Sequence, residues 1–177
     1  AEWRDLVPTL HQRASAWYAE QGMPDDAIRH ALAGEDYAQA AGLIELGIPE
    51  LRRTRQEVTM LRWLRALPAA VVRQRPVLSL HFAGALLLNG DYEDAVVRLR
   101  DAEQLVAVAT SAATAAGTED EHGGRAADGA DDGADDGAAS EMVIVDQEEF
   151  RRVPGWTAMY RAAIALAQGD AVGTVHY

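Results

Sequence analysis

One short phrase returns three times along this chain, each time after an apolar, alanine-rich stretch. Residues 34–40 read GEDYAQA, residues 90–96 read GDYEDAV, and residues 169–175 read GDAVGTV. Glycine ends a helix because it enters the left-handed backbone region without a Cβ clash. An aspartate just beyond it accepts hydrogen bonds from the unpaired N–H groups that open the next helix. A glycine–aspartate corner between apolar stretches therefore reads as the turn of an αα-hairpin. In the first copy, Gly34 is expected to end one helix and Asp36 to cap the next, with Gln39 in the capping-box position. In the second, Gly90 ends a helix, Asp91 caps, and Asp94 pairs with Arg98 one turn on. Tyr37 or Tyr92 opens the following apolar stripe, and Ala40 or Ala95 is small enough to let two helices approach closely.

The remaining periodicity is helical, with no convincing alternating strand. A first helix runs from Pro8 to Gln21 through Leu10, Ala14, Trp17 and Tyr18, and Gly22 ends it. Pro24 suits the first position of the next, with Asp25 and Asp26 at its positive end. Residues 76–89, PVLSLHFAGALLLN, are apolar almost all round and so are buried between neighbours, whereas residues 92–106 carry one apolar face. Met60, Trp63, Leu64 and Leu67 share a face, with Arg55 and Arg62 roughly opposite, and Pro68 ends that helix. A short helix over Ala69–Arg75 and a final one over 155–168 complete the set. One buried and one amphipathic helix per unit predicts an all-α fold, a TPR-like αα-hairpin superhelix or solenoid. Residues 1–109 form its first part. Residues 110–142 are an acidic, low-complexity insertion expected to be disordered, since no large apolar residue lies between Ala109 and Ser140. Residues 143–177 resume the repeats and stop as Asp170 would cap a new helix, so the chain reads as cut from a longer protein.

Charge and chemistry narrow the function classes. The net charge of −12 is concentrated between Glu119 and Glu141, which alone carry −8, so the body is only mildly acidic. All sixteen basic residues are arginine. Without lysine there is no GxxxxGK[ST] phosphate loop, and no GxGxxG, HExxH or CxxC occurs. Cysteine is absent, which excludes disulfides and thiolate chemistry and fits a cytoplasmic location. No signal-peptide pattern opens the chain, and no apolar run approaches the ~18 residues of a membrane span. The histidines at 11, 30, 81, 122 and 176 lack metal-binding spacing; His30 and His81 read as packing residues. DDGADDG, residues 131–137, lacks the ligand spacing of a calcium loop. No catalytic, cofactor or metal residue is assigned, and the chain is expected not to be an enzyme. Trp17, Tyr18, Trp63, Trp156 and Tyr160 read as inter-repeat packing or as the lining of a ligand or peptide groove. Arg52, Arg53, Arg55, Arg62 and Arg65 read as a solvated face or as a contact for an anionic effector. The candidate binding set is Trp63, Trp156, Tyr160, Arg55 and Arg62.

Residues 10–45, with WYAEQGMPDDAIRHALAGEDY, and residues 61–105, with WLRALP and RPVL, resemble the helical-repeat region of MalT-type regulators, the large ATP-binding members of the LuxR group. Residues 150–173 carry the resemblance weakly, and the acidic insertion departs from it. The resemblance implies a sensor segment of a bacterial transcriptional regulator that binds a small-molecule effector or a regulatory protein and couples this to self-association. ATP would bind only in an N-terminal domain of the parent, and DNA only through a C-terminal helix-turn-helix, both outside these residues. No binding residue is carried over. A generic TPR-like adaptor for a partner peptide is the alternative reading.

Overall fold

Five helix ends close in the same way. A computed structural model describes residues 2–119 and 142–170, with side chains from Leu6 to Ala112 and from Met142 onward. Its helices are α1 (Glu2–Glu20), α2 (Pro24–Ala33), α3 (Tyr37–Arg53), α4 (Glu57–Ala66), α5 (Ala69–Arg73), α6 (Pro76–Asn89), α7 (Tyr92–Glu119) and α8 (Gln147–Ala167). Every regular element among the described residues is a helix. After α1, α2, α3, α6 and α8 one residue turns left-handed: Gly22, Glu35, Arg55, Gly90 and Gly169. The next N–H then bonds five residues back, from Met23 to Tyr18, Asp36 to Ala31, Gln56 to Leu51, Asp91 to Leu86 and Asp170 to Ala165, at 2.8–3.0 Å. These bonds pair carbonyls that a helix end otherwise leaves unmatched.

The first two copies of the phrase thus mark real corners and the third marks the end of α8, with one difference in how the first is made. Gly34 keeps φ at −88°, and Glu35 takes the left-handed conformation at +55°. Gly34 is small for another reason: a Cβ there would lie 3.0 Å from both the Pro8 carbonyl oxygen and His11 Cβ on α1. Asp36 caps α3 as expected, accepting from Gln39 N–H at 3.1 Å. The Asp91 carboxylate instead takes Arg65 at 2.5 Å and Asn89 at 2.8 Å. Arg98 pairs with Asp101 at 2.8 Å rather than with Asp94. The helix that Asp170 was expected to open lies outside the described residues.

Helix α6 is the centre of the packing. It touches α3, α4, α5, α7 and α8, and ten of its residues are buried. Leu78, Leu80 and Leu86 meet Ala95, Leu99 and Ala102 of α7 and Val153 and Ile164 of α8 in one core. Each large side chain so buried contributes about 1.5–3 kcal/mol. Ala40 and Ala95 are fully buried, as close approach of paired helices requires.

Helix α7 runs to Glu119, ten residues past Ala109. Thr110 and Ser111 donate their hydroxyls to the carbonyls of Val106 and Ala107, so polar side chains there bond to the helix itself. The rest of the acidic stretch, residues 120–141, lies outside the described residues. Helix α8 begins at Gln147 rather than Gly155. Asp146 caps it, accepting from Glu148 and Glu149 N–H groups at 2.9 and 3.1 Å, and Pro154 lies inside. The chain entering α8 is anchored by Val143 N–H donating to Gln74 carbonyl at 2.8 Å. Arg161 on α8 forks onto both oxygens of Glu103 on α7 at 2.9 and 2.7 Å.

Candidate functional site

The C-terminal turn of α3, the start of α4, the second half of α6 and one stripe of α8 enclose a cleft of about 680 Å³. That volume suits a drug-sized molecule. From α8 come Trp156, Met159, Tyr160, Ala163 and Ala167, a 3–4 spacing that puts all five on one side of the helix. Helix α6 supplies His81, Gly84, Ala85, Leu87 and Leu88; Met60 and Glu57 come from α4, and Arg52 and Arg55 from the α3 turn.

Gly84 has a packing role here. A Cβ at this position would lie 2.8 Å from Tyr160 Cζ and closer still to the hydroxyl, so the phenol occupies a notch that only glycine provides. The Trp156 and Tyr160 rings lie with centroids 6.0 Å apart. The Arg52 guanidinium sits over the Trp156 ring, 4.6 Å from its centroid, in a cation–π contact. Burial pushes the Tyr160 phenol above its ordinary range, with Arg52 opposing.

His81 lies on the cleft lining and is 3% exposed. Its Nε2 has no hydrogen-bond partner among the described residues. Glu149 Oε2, at 3.7 Å, is beyond hydrogen-bond reach. Burial, with Arg52 adding to it, lowers the imidazole to about 4, so the ring is neutral at pH 7. Neither Arg52 nor Arg55 is paired with a carboxylate among the described residues. Of the other arginines of that run, Arg53 pairs with Glu50 at 2.6 Å and Arg65 with Asp91.

Of the five residues picked from the sequence, three meet: Trp156, Tyr160 and Arg55. Arg55 was expected on a helix opposite Met60. It lies instead in the turn before α4, and both residues line the same cleft. Trp63 and Arg62 face a second hollow, of about 460 Å³, beside Asp25, Asp26 and Arg29. Trp63 is 7% exposed and belongs to the core. Arg52, His81 and Gly84 were missed as site residues. The available signal was Gly84, the single glycine within the apolar helix α6, which marks a close approach. His11 and His30, unrelated by spacing, meet across α1 and α2 with Nδ1 atoms 2.8 Å apart, and Tyr18 stacks on His30. His122 and His176 lie outside the described residues.

No family model matches the chain, and no solved structure matches it significantly. Among curated proteins it is similar to the serine/threonine-protein kinase PknK of Mycobacterium tuberculosis and of Mycobacterium bovis, at 40% identity over 82 residues. The matched part is 46% of this chain and 7% of the relative. This corrects one expectation: the chain was expected not to be an enzyme, whereas the relatives it matches are named as serine/threonine-protein kinases. No helix among the described residues is long and apolar enough to cross a membrane.

Proposed function

We propose that this chain is part of the TPR-like helical-repeat sensor of a MalT-like, LuxR-family regulator, working in a bacterial cytoplasm. The observation that carries the reading is the cleft between α3–α4, α6 and α8. Consecutive hairpins form its walls, and aromatic rings, two arginines and a buried histidine line it. An effector seated there touches three helical units at once. Its binding energy then depends on their relative placement, which is the requirement for coupling a ligand to a change of state. The sequence resemblance over residues 10–45 and 61–105 supports the same assignment. In the parent, the change of state is self-association, with ATP and DNA handled by domains outside these residues. In a parent that carries a kinase module, as the name of the mycobacterial relative describes that protein, the same cleft would bias the kinase instead.

Sedimentation of the intact parent, with and without ATP and a panel of candidate inducers, tests this. An inducer-dependent shift in self-association is expected, abolished by Trp156→Ala. Unchanged association under every condition would refute it. A partner-protein reading draws on the exposed Leu88, Tyr92 and Met159 at the cleft rim, and a purely peptide-bound cleft would appear in the same assay as insensitivity to small molecules.

A further inference from the structure

The cleft's chemistry narrows what it takes. Its walls are apolar and aromatic, with Trp156 and Tyr160 on one side and Met60 on the other. Two guanidiniums, those of Arg52 and Arg55, stand at it against one carboxylate, Glu57. Neither has an acidic partner among the described residues, so both can fork onto an incoming anion. The Arg52 guanidinium already sits over the indole, which ties the cationic end of the cleft to its aromatic wall. On the lining, His81 Nε2 is buried and unpartnered. A buried polar nitrogen left without a partner is costly, and a polar ligand group would satisfy it.

We infer that this cleft binds a small aromatic carboxylate, its ring against Trp156 and Tyr160, its carboxylate on Arg52 and Arg55, and a polar ring substituent facing His81. This rests on the sensor reading and names the class of effector. The charge balance excludes a cation. The aromatic walls and the volume favour a fused or substituted ring over a sugar, whose many hydroxyls would find few partners here.

The test uses the 177-residue chain and calorimetric titration with 2-naphthoate, with neutral 2-naphthalenemethanol as the matched control. The acid is expected to bind at least tenfold more tightly than the alcohol, and the Trp156 indole N–H resonance to move on titration. Arg55→Gly removes the cation from a left-handed position that glycine adopts more easily, so the variant folds more stably while losing at least tenfold in naphthoate affinity. Glu35→Gly repeats the backbone change at a turn away from the cleft and should leave affinity unchanged. Ala163→Leu, at an exposed wall position, should block both ligands. Equal affinity for acid and alcohol, full affinity in Arg55→Gly, or no binding of naphthoate at millimolar concentration would overturn the inference. If naphthoate fails while another inducer still shifts self-association of the parent, the sensor reading stands and the ligand class falls. If naphthoate binds as described and the parent never responds, the ligand class stands and the sensor reading falls.

Discussion

Gly84→Ala puts the seat of α8 on α6 to a sharp test. The added Cβ would lie 2.8 Å from Tyr160 Cζ, well inside contact distance. The ring is rigid and lies beside Trp156, so relief requires a shift of the phenol or of α8 itself. Overpacking of this kind costs about 1–3 kcal/mol. Alanine in place of a mid-helix glycine returns roughly 0.5–1 kcal/mol through backbone entropy. Taken at the middle of both ranges, the net expectation is a loss of about 1 kcal/mol, or a fall in Tm of roughly 2–4 °C for a chain of this size. In a Tyr160→Ala background the obstacle is gone and only the helix gain remains. There, Gly84→Ala should stabilise by about 0.5–1 kcal/mol. The sign of one substitution thus reverses with the residue at 160, a coupling well above the additivity error of distant sites. Urea unfolding followed by far-UV circular dichroism on the four chains of the cycle measures it. A Gly84→Ala effect of the same sign and size in both backgrounds would refute the notch.

His81 predicts a pH dependence. Its folded value, near 4, lies below the unfolded 6.5, so the neutral ring contributes stability above pH 6.5 that is lost as pH falls toward 4. At about 1.4 kcal/mol per unit, roughly 3 kcal/mol disappears across that window, and His81→Leu should flatten this part of a stability–pH profile. Arg75 donates to Glu45 Oε2 at 3.2 Å and to the Ala38 carbonyl at 3.3 Å, with both side chains buried. Arg75→Met, which strands a buried carboxylate, should destabilise by about 3–5 kcal/mol in chemical unfolding, and adding Glu45→Leu should restore most of it. Asp36→Ala should cost about 1 kcal/mol, read as a lower urea midpoint, by removing the cap of α3.

The helices and most of their corners were legible because their causes are local. Gly22 and Gly90 turn left-handed where the sequence places them, and the all-round apolar run of 76–89 is the most buried helix. Some misses were local, and others depended on neighbours distant in sequence. Arg98 has acids on either side along α7, and spacing alone does not choose between Asp94 and Asp101. Gly34 looked like a turn glycine, but its position is set by α1, more than twenty residues away. Arg55 was assigned to a helix because arginine is an unusual residue in the left-handed region. Trp63 and Trp156 are chemically alike in the sequence. One fell into the core and the other onto the cleft because the partners of α4 and α8 are fixed only by tertiary packing.

Backbone strain by itself would have been a poor guide to the site. Glu35 and Arg55 both sit at φ +55° after a helix, each costing on the order of 1 kcal/mol or more relative to glycine, yet only Arg55 reaches the cleft. What separates them is the surface they border. Helix α6 is apolar all round, and near its C-terminal end Leu88 stays 75% exposed. On the α8 side, the stripe shrinks from Trp156 and Tyr160 to Ala163 and Ala167. Large side chains close one end of the space, while small ones leave the other open beside the apolar surface of α6. The end of α3 sets Arg52 over the Trp156 ring, on the large-residue side, and the turn after it brings Arg55 to the same cleft. The cleft follows from a size gradient along one helix laid over an apolar one, and its charge follows from where the preceding hairpin turns.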